Sequence, residues 1–141
     1  MFQWKASSLE GAFHFEQKFI TKIRIKNYNE AITRRINMSK YSVVGIWDQI
    51  FPGQKEVVDY AGRRMVRSAI GNQNSRFCPT IDHIRPISNG GKDCLANIVI
   101  CNQSTNEEKA DSFPNWTANG KRFQAKRVRG TSDEYDIYQL Y

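Results

Sequence analysis

The stretch from Asp82 to Gly91, with the sequence DHIRPISNGG, constrains the fold more than any other part of the chain. It begins in a short apolar run that predicts a strand, and its Pro86 and Gly90-Gly91 predict that the chain then forms an irregular loop. A second apolar run and a polar run follow it. The predicted elements are a strand, a loop, a second strand and a helix, over residues 80–84, 85–96, 97–100 and about 104–111.

Five polar residues stand at fixed distances within these elements. Asp82 and His83 are neighbours on the first strand and therefore point to opposite faces. Asn97 follows His83 by fourteen residues, Asn106 comes nine residues later, and Lys109 lies one helical turn beyond. An Asp-His pair alone is common, and an asparagine at the start of a helix is usually a cap. Here, however, the sequence DHIRPISNGG and both asparagines occur together, and this combination is more informative than either feature alone.

This string and this spacing resemble the motif of the HNH nucleases, whose core is a ββα-metal unit. The resemblance covers residues 78–111, and it extends upstream to about Val43, where small bacterial HNH proteins often have a helix that contains a tryptophan. It implies an α+β fold: a ββα-metal core with an additional N-terminal arm, a helix and C-terminal β-strands. The expected division is an arm of unknown role over residues 1–40 and an HNH nuclease domain over residues 41–141.

The resemblance also implies a site that hydrolyses phosphodiester bonds with one divalent metal ion. His83 is then the general base, since a neutral imidazole accepts a proton from water at cellular pH. A backbone carbonyl of the second strand is expected to orient its ring. Asp82 and Asn106 are the expected metal ligands, and two oxygen ligands favour Mg²⁺ or Mn²⁺ over zinc. Asn97 is expected to tie the loop to the second strand by side-chain-to-backbone hydrogen bonds, and Lys109 to hold a phosphate.

No structural zinc is expected. Many relatives bind zinc through cysteines near the end of the second strand, but the corresponding positions here are Asn102 and Thr105, and Cys101 is one residue out of register. The chain's three cysteines form no CxxC pair, and their odd number disfavours a disulfide framework. The helix is therefore expected to be held by apolar packing alone.

Charge is unevenly distributed along the chain, which has a net charge of +7. The formal charges of residues 1–77, 78–111 and 112–141 are +7, −2 and +2. An acidic segment between basic flanks suits a cation site that is held against a polyanion, so DNA is the expected partner. Five arginines are the candidate nucleic-acid contacts, although those upstream of the motif equally fit a solvated face: Arg63, Arg64, Arg67, Arg76 and Arg85.

Outside the motif, hydrophobic patterning predicts further elements. Alternation over residues 18–26 predicts a strand with one basic face, which is either an edge strand or a phosphate-contacting strand. We also expect a short helix over residues 30–36 with Asn29 as its cap, and a second helix that begins after Ser42 and ends at Pro52-Gly53. The tail from residue 117 reads as two or three strands with turns at Asn119-Gly120 and around residues 130–133.

Composition limits the classes of protein. A chain of 141 residues with 40% hydrophobic content can bury one core, and no apolar run is long enough to span a membrane. The N-terminus lacks the apolar stretch of a signal peptide, so a cytoplasmic protein is expected.

The expected function is a DNA endonuclease or nickase that depends on a divalent metal. One alternative is a nucleic-acid-binding protein that keeps the fold without turnover. A second alternative is a nuclease subunit whose target is chosen by a partner. One active site cuts one strand per engagement, so cleavage of both strands needs either a homodimer or two events. The sequence leaves the biological context open between restriction or defence, a phage and a mobile element.

Overall fold

The computed structural model describes residues 2–9, 12–19 and 42–141. Within these ranges the chain contains two α-helices and nine β-strands, which confirms the predicted α+β class. The helix predicted over residues 30–36 lies outside the described residues. So does the strand predicted over residues 18–26, except for its first two residues.

The described elements follow a simple order along the chain. A β-hairpin comes first, then a helix with a small hairpin, then the strand, loop, strand and helix that carry the motif, and finally three strands. Their bounds are β1 Phe2–Leu9, β2 Ala12–Phe19, α1 Val43–Ile50, β3 Glu56–Val58, β4 Arg64–Val66, β5 Pro79–His83, β6 Ile98–Asn102, α2 Gln103–Lys109, β7 Asn115–Ala118, β8 Lys121–Arg127 and β9 Tyr135–Leu140.

The largest sheet is antiparallel and has the strand order β1-β2-β9-β8-β7. Strand β2 joins it through three residue pairs, from Gln17 opposite Gln139 to Phe19 opposite Ile137. The last strand therefore lies in the middle of the sheet. Two smaller antiparallel sheets are formed by β3 with β4 and by β5 with β6.

Helix α1 forms where the spacing of apolar residues predicts it. Ser42 caps its N-terminus by accepting a hydrogen bond from the backbone N–H of Gly45 at 2.9 Å. Ile46 and Trp47 are buried on its inner face. The helix ends before Pro52-Gly53, and Gly53 has a φ of 73°, a backbone conformation that glycine adopts without strain.

Two apolar clusters enclose the β5–β6 pair. Ile100 of β6 packs with residues of α1 and β4, whereas its neighbours Val99 and Cys101 pack with the largest sheet. Strand β6 is consequently buried along its whole length. In the second cluster the Tyr60 ring makes edge-to-face contacts with Trp116 and Phe123 at centroid distances of 6.1 and 5.0 Å. The strands that carry the motif are therefore packed between two apolar clusters.

The C-terminal strands confirm the predicted tail. Strands β7 and β8 are joined at Asn119-Gly120, where both residues have positive φ, as a two-residue hairpin of this type requires. The turn before β9 includes Gly130, with a φ of 82°. None of the described helices has the length and apolar character needed to cross a membrane.

Candidate active site

The predicted strand, loop, strand and helix are present as β5, residues 84–97, β6 and α2. Strands β5 and β6 pair with Asp82 opposite Val99 and His83 opposite Ile98. Helix α2 follows β6 directly, with Asn102 as its N-cap. This local arrangement brings α2 across one face of the two-stranded sheet, so the strand residues that point to that face meet helix side chains.

The loop between the strands is held by Asn97, whose side chain is fully buried. Its amide nitrogen donates to the carbonyl oxygens of Arg85 and Lys92, and its amide oxygen accepts from the backbone N–H of Arg85, each at 2.9 Å. These are the side-chain-to-backbone bonds expected from the sequence. They fix the loop next to the end of β5, where His83 lies.

Gly91 is required by a close approach within the same loop. Its backbone N–H donates to the carbonyl of Pro86 at 2.9 Å, and a Cβ atom at Gly91 would lie 1.8 Å from the carbonyl oxygen of Arg85. The preceding Gly90 has a φ of 81°. The loop therefore turns back on itself in a way that only the Gly-Gly pair permits.

His83 is the last residue of β5, and its side chain is 30% exposed. Its ring nitrogen Nε2 lies 2.9 Å from Oδ1 of Asp93, a loop residue ten positions later. The expectation that a backbone carbonyl of the second strand orients this ring is wrong, because the structure gives the ring a carboxylate partner from the loop instead.

Asp82 points to the opposite face, towards α2, and is buried. The Nζ atom of Lys109 lies 3.2 Å from Oδ2 of Asp82 and forms an ion pair with it, and no further group in the described part of the chain donates a hydrogen bond to this buried oxygen. Burial raises the pKa of the Asp82 carboxyl above its ordinary value, and the charge of Lys109 opposes that rise. A further cation at this carboxylate would favour its ionised form.

Asn106 lies on α2 above the same strand. Its amide nitrogen donates to Oγ1 of Thr80 at 3.1 Å and to the carbonyl of Ile81 at 3.3 Å. These two bonds fix the orientation of the amide. They leave its carbonyl oxygen available as a metal ligand. Thr80 and Asp82 share a face of β5, so the Asn106 amide and the Asp82 carboxylate lie in the same layer between strand and helix.

These residues fit a hard divalent cation. The set consists of one buried carboxylate oxygen, whose partner in the described residues is the Lys109 ammonium group, and one oriented amide oxygen; both are ligand types that Mg²⁺ accepts while it keeps waters. Among the described residues there is no group of three or more His, Cys, Asp or Glu side chains placed to hold a metal. A metal held here would therefore take its remaining ligands from water and a phosphate.

One of three comparisons with known proteins gave a match. The family model of the HNH endonucleases matches residues 60–115. Residues 60–115 form an HNH endonuclease domain. The match contains the whole ββα unit and begins at residue 60, so it does not reach Val43, where the sequence resemblance was expected to begin. The searches of curated proteins and of solved structures gave no match.

Lys109 of the HNH domain lies elsewhere than expected. The side chain is fully buried, and its Nζ donates to the carbonyl oxygen of His83 at 3.0 Å and lies 5.4 Å from the centroid of the Trp116 ring. Together with its contact to Asp82, this places the ammonium group against both members of the Asp-His pair. It does not reach the surface, where a phosphate would bind.

The N-terminus of α2 is held by a polar network. Asn102 donates from its amide to the carbonyls of residues 64 and 76, and its backbone N–H donates to Oδ2 of the buried Asp59 at 3.0 Å. Thr105 is also fully buried and accepts from the Arg63 guanidinium, which in turn binds Glu108. The expectation that apolar packing alone holds this helix is wrong, because hydrogen bonds tie Asn102 and Thr105, the positions at which many relatives have zinc-binding cysteines, to the segment of residues 59–76.

Three of the five candidate DNA-contacting arginines are engaged by acidic side chains within the protein. In each pair a hydrogen bond to the guanidinium lowers the pKa of the carboxyl. Their charge is partly compensated, and their side chains are between 21% and 51% exposed. The pairs are Arg63 with Glu108, Arg64 with Glu56, and Arg67 with Asp48.

The other two arginines have no acidic partner in the described part of the chain. The Arg76 guanidinium lies over the Phe77 ring, 4.7 Å from its centroid. Arg85 donates to the Tyr135 hydroxyl at 3.3 Å and lies 5.6 Å from the Phe113 ring centroid. Arg85 belongs to the loop that follows His83, two residues after it, whereas Arg76 precedes the start of β5.

Sequence reasoning missed Asp59 and Asp93. Asp59 has a usable signal, because an aspartate three residues before Gly62 is typical of a turn in which the carboxylate accepts backbone N–H groups. It accepts from Ala61 and Arg63 at 2.9 and 2.8 Å. Asp93 has no such signal, because only the folded loop brings it to His83.

Proposed function

We propose that this chain is a DNA endonuclease or nickase that depends on a divalent metal and hydrolyses phosphodiester bonds. The observation that carries the proposal is the arrangement around β5. Asp82 lies beneath α2 in one layer with Asn106, whereas His83 is partly exposed on the other face beside Asp93. The proposed cation site, formed by Asp82 and Asn106, and the proposed proton acceptor, His83, are thus adjacent and use different side chains.

In the proposed reaction His83 takes a proton from a water molecule, and the water oxygen attacks the phosphorus atom. The bond from phosphorus to the 3′ oxygen breaks, so that the products carry a 5′-phosphate and a 3′-hydroxyl, as in the HNH family. A general base at this position typically contributes about 10²- to 10⁴-fold to the rate. Asn97 supports the base indirectly, since its three hydrogen bonds hold the loop beside it.

Asp82 and Asn106 would hold the metal. A bound Mg²⁺ or Mn²⁺ supplies positive charge to the phosphate and to the departing oxygen. Lys109 is assigned a positioning role in this proposal, because it contacts Asp82 and the backbone of His83 from a fully buried position.

The proposed substrate is DNA, which the basic flanks would bind through its phosphates. Arg76 and Arg85 are the first candidates for these contacts, since their charge is not compensated by a carboxylate in the described residues. Arg63, Arg64 and Arg67 would have to exchange their acidic partners for phosphates and are therefore secondary candidates.

A plasmid-nicking assay tests the proposal. With Mg²⁺ or Mn²⁺, the purified chain is expected to convert supercoiled plasmid to the nicked form before any linear form appears, because one site cuts one strand at a time. His83→Ala should lose about 10²-fold or more in rate and keep its DNA affinity. His14→Ala removes the only other histidine in the sequence and is the matched control.

The outcome separates the proposed function from its alternatives. A protein that shifts DNA and never cuts it, with either metal, is a binding protein that retains the fold. Cleavage that appears only after a second protein is added identifies a nuclease subunit. Linear product that forms without a nicked intermediate indicates that two copies act together. Full activity in His83→Ala would remove this residue from the mechanism.

A further inference from the structure

The contact between His83 and Asp93 has the geometry of a base with an orienting acid. Oδ1 of Asp93 lies 2.9 Å from Nε2 of His83, within ordinary hydrogen-bond distance. The two side chains are 30% and 50% exposed, so the pair lies at the surface of the active site and is open to substrate.

The loop holds Asp93 in place from both sides. The carbonyl of Lys92 accepts from the Asn97 amide at 2.9 Å, and the carbonyl of Cys94 accepts from the Asn97 backbone N–H at 2.9 Å. The Lys92 side chain also reaches the turn before β9, where its Nζ lies 3.1 Å from Oδ2 of Asp133. Asp93 lies between these two anchored residues. The hydrogen bonds on either side of it therefore fix its backbone next to the His83 ring.

We propose that Asp93 is a positioning residue that sets the tautomer and orientation of the His83 ring. A carboxylate accepts hydrogen bonds and donates none, so its contact with Nε2 requires the ring proton to be on Nε2. The lone pair then lies on Nδ1, which becomes the atom that takes the proton from water. The same carboxylate stabilises the imidazolium that this transfer creates, as orienting acids do in other base-acid pairs.

The inference rests on the proposed nuclease function for its kinetic part only. The alternative is an ordinary surface ion pair, which typically contributes little to stability and nothing to chemistry. The two differ in what Asp93 does to the ring, and the ring can be observed without DNA or metal.

The first experiment is ¹⁵N NMR of the full chain under alkaline conditions, at which an ordinary imidazole is neutral. The sequence contains two histidines, and His14→Ala assigns the signals. The wild-type His83 ring should show a protonated Nε2 and an unprotonated Nδ1. In Asp93→Ala the two shifts should move towards those of a ring that exchanges between tautomers. Ring shifts that are unchanged in Asp93→Ala, or a wild-type proton on Nδ1, would overturn the proposal.

The second experiment measures kcat and KM for plasmid cleavage. Loss of the outer partner of a metal-bound histidine typically costs about 10- to 100-fold; by analogy, we expect Asp93→Ala to lose about 10-fold in kcat with little change in KM. Asp93→Asn keeps an acceptor oxygen and should retain more activity. Asp133→Asn, which weakens the Lys92 anchor and the contact of Asp133 with the Ser132 hydroxyl but does not touch His83, controls for general loosening of the loop.

Equal losses in Asp93→Ala and Asp133→Asn would reduce Asp93 to a loop anchor and overturn the proposal. So would a kcat of Asp93→Ala within twofold of the wild type. If the wild type cleaves no DNA, the proposed function fails, and the NMR result still decides whether Asp93 sets the tautomer.

Discussion

Lys109 occupies an environment that lysine rarely takes. Lysine is almost never fully buried unless it is paired, and here its ammonium group is paired with the Asp82 carboxylate and the carbonyl oxygen of His83. A single side chain thus contacts both residues of the Asp-His pair from beneath. Its removal should affect the fold and the site together.

We expect Lys109→Met to lower the free energy of unfolding by about 3 kcal/mol, because it leaves the buried Asp82 carboxylate without its cation. Adding Asp82→Asn removes that uncompensated charge and should recover most of the loss. Urea denaturation of the single and double variants measures both effects, with the exposed Lys55→Met as the control. A Lys109→Met chain as stable as Lys55→Met would show that the buried pair contributes nothing.

Metal preference is a second property that depends on one residue. Asn106 offers an amide oxygen, which suits hard cations, whereas a histidine offers nitrogen and tolerates softer metals. Wild-type cleavage should therefore be supported by Mg²⁺ and Mn²⁺, and Asn106→His should shift the preference towards nickel, cobalt or zinc. Cleavage rates across these metals measure the shift, and Asn106→Asp, which keeps oxygen, is the control. A wild type that cuts best with zinc would contradict the oxygen-ligand assignment.

At the level of single residues, the sequence predicts the positions that belong to the motif and misses their partners. The opposite faces of Asp82 and His83 follow from the alternation of side chains along a strand, and the Asn97 hydrogen bonds are expected from the resemblance to the HNH nucleases. The Asp93 contact and the burial of Lys109 follow from neither, since the first depends on how a long loop folds back. The second depends on Trp116 and the C-terminal sheet, which cover α2 from outside the motif.

Among the elements, α2 depends on a buried aspartate far away in sequence. Asp59 accepts hydrogen bonds from the backbone N–H groups of Ala61, Arg63 and Asn102. A buried donor that loses its partner costs about 1–3 kcal/mol. In this chain the hydrogen bonds of Asp59 anchor the start of α2, where many relatives have zinc-binding cysteines. We therefore expect α2 to keep its position in the presence of a zinc chelator.

We expect Asp59→Ala to lower the free energy of unfolding by about 3 kcal/mol, because it strands three backbone donors. The cleavage rate should fall as well, since Asn106 and Lys109 both belong to α2. Chemical denaturation and the nicking assay measure the two effects. Asp111→Ala, at an exposed position just after α2, is the matched control, and an equal loss of stability in the two variants would exclude the network as the anchor of the helix.

Local signals account for the elements that the sequence predicted correctly. Ser42 caps α1, and Asn119-Gly120 turns β7 into β8, because each signal acts within a few residues. The pairing of β2 with β9 could not be predicted in this way. Which strands pair depends on contacts between residues that are distant in sequence. The alternation of apolar and polar residues along one strand does not identify its neighbour in the sheet.

For the whole molecule, DNA affinity should depend on the net positive charge and on how many arginines are paired with acidic side chains of the protein. The chain carries a net charge of +7, yet the three upstream arginine pairs keep part of the basic surface occupied. The division into an arm over residues 1–40 and a nuclease domain over residues 41–141 stays a prediction.

DNA affinity should fall steeply with salt, because binding to phosphates releases counterions. We expect Arg76→Ala to lower the affinity and to reduce the slope of log K against log salt by about one. Arg67→Ala should change the slope less, since both of its bonded nitrogens contact Asp48. Fluorescence anisotropy over a salt series measures the slopes. A larger effect for Arg67→Ala than for Arg76→Ala would contradict the choice of Arg76 as the stronger phosphate contact.

The central place of β9 in the largest sheet has a consequence for how the chain folds. Its partners in β2 are more than a hundred residues away in sequence, whereas β5, β6 and α2 meet within about thirty. Closing a long loop costs entropy before its contacts form, and distant pairings slow folding. We therefore expect the ββα unit to acquire its structure early and the pairing of β2 with β9 to form last, so that assembly proceeds outward from the strands that carry the Asp-His pair.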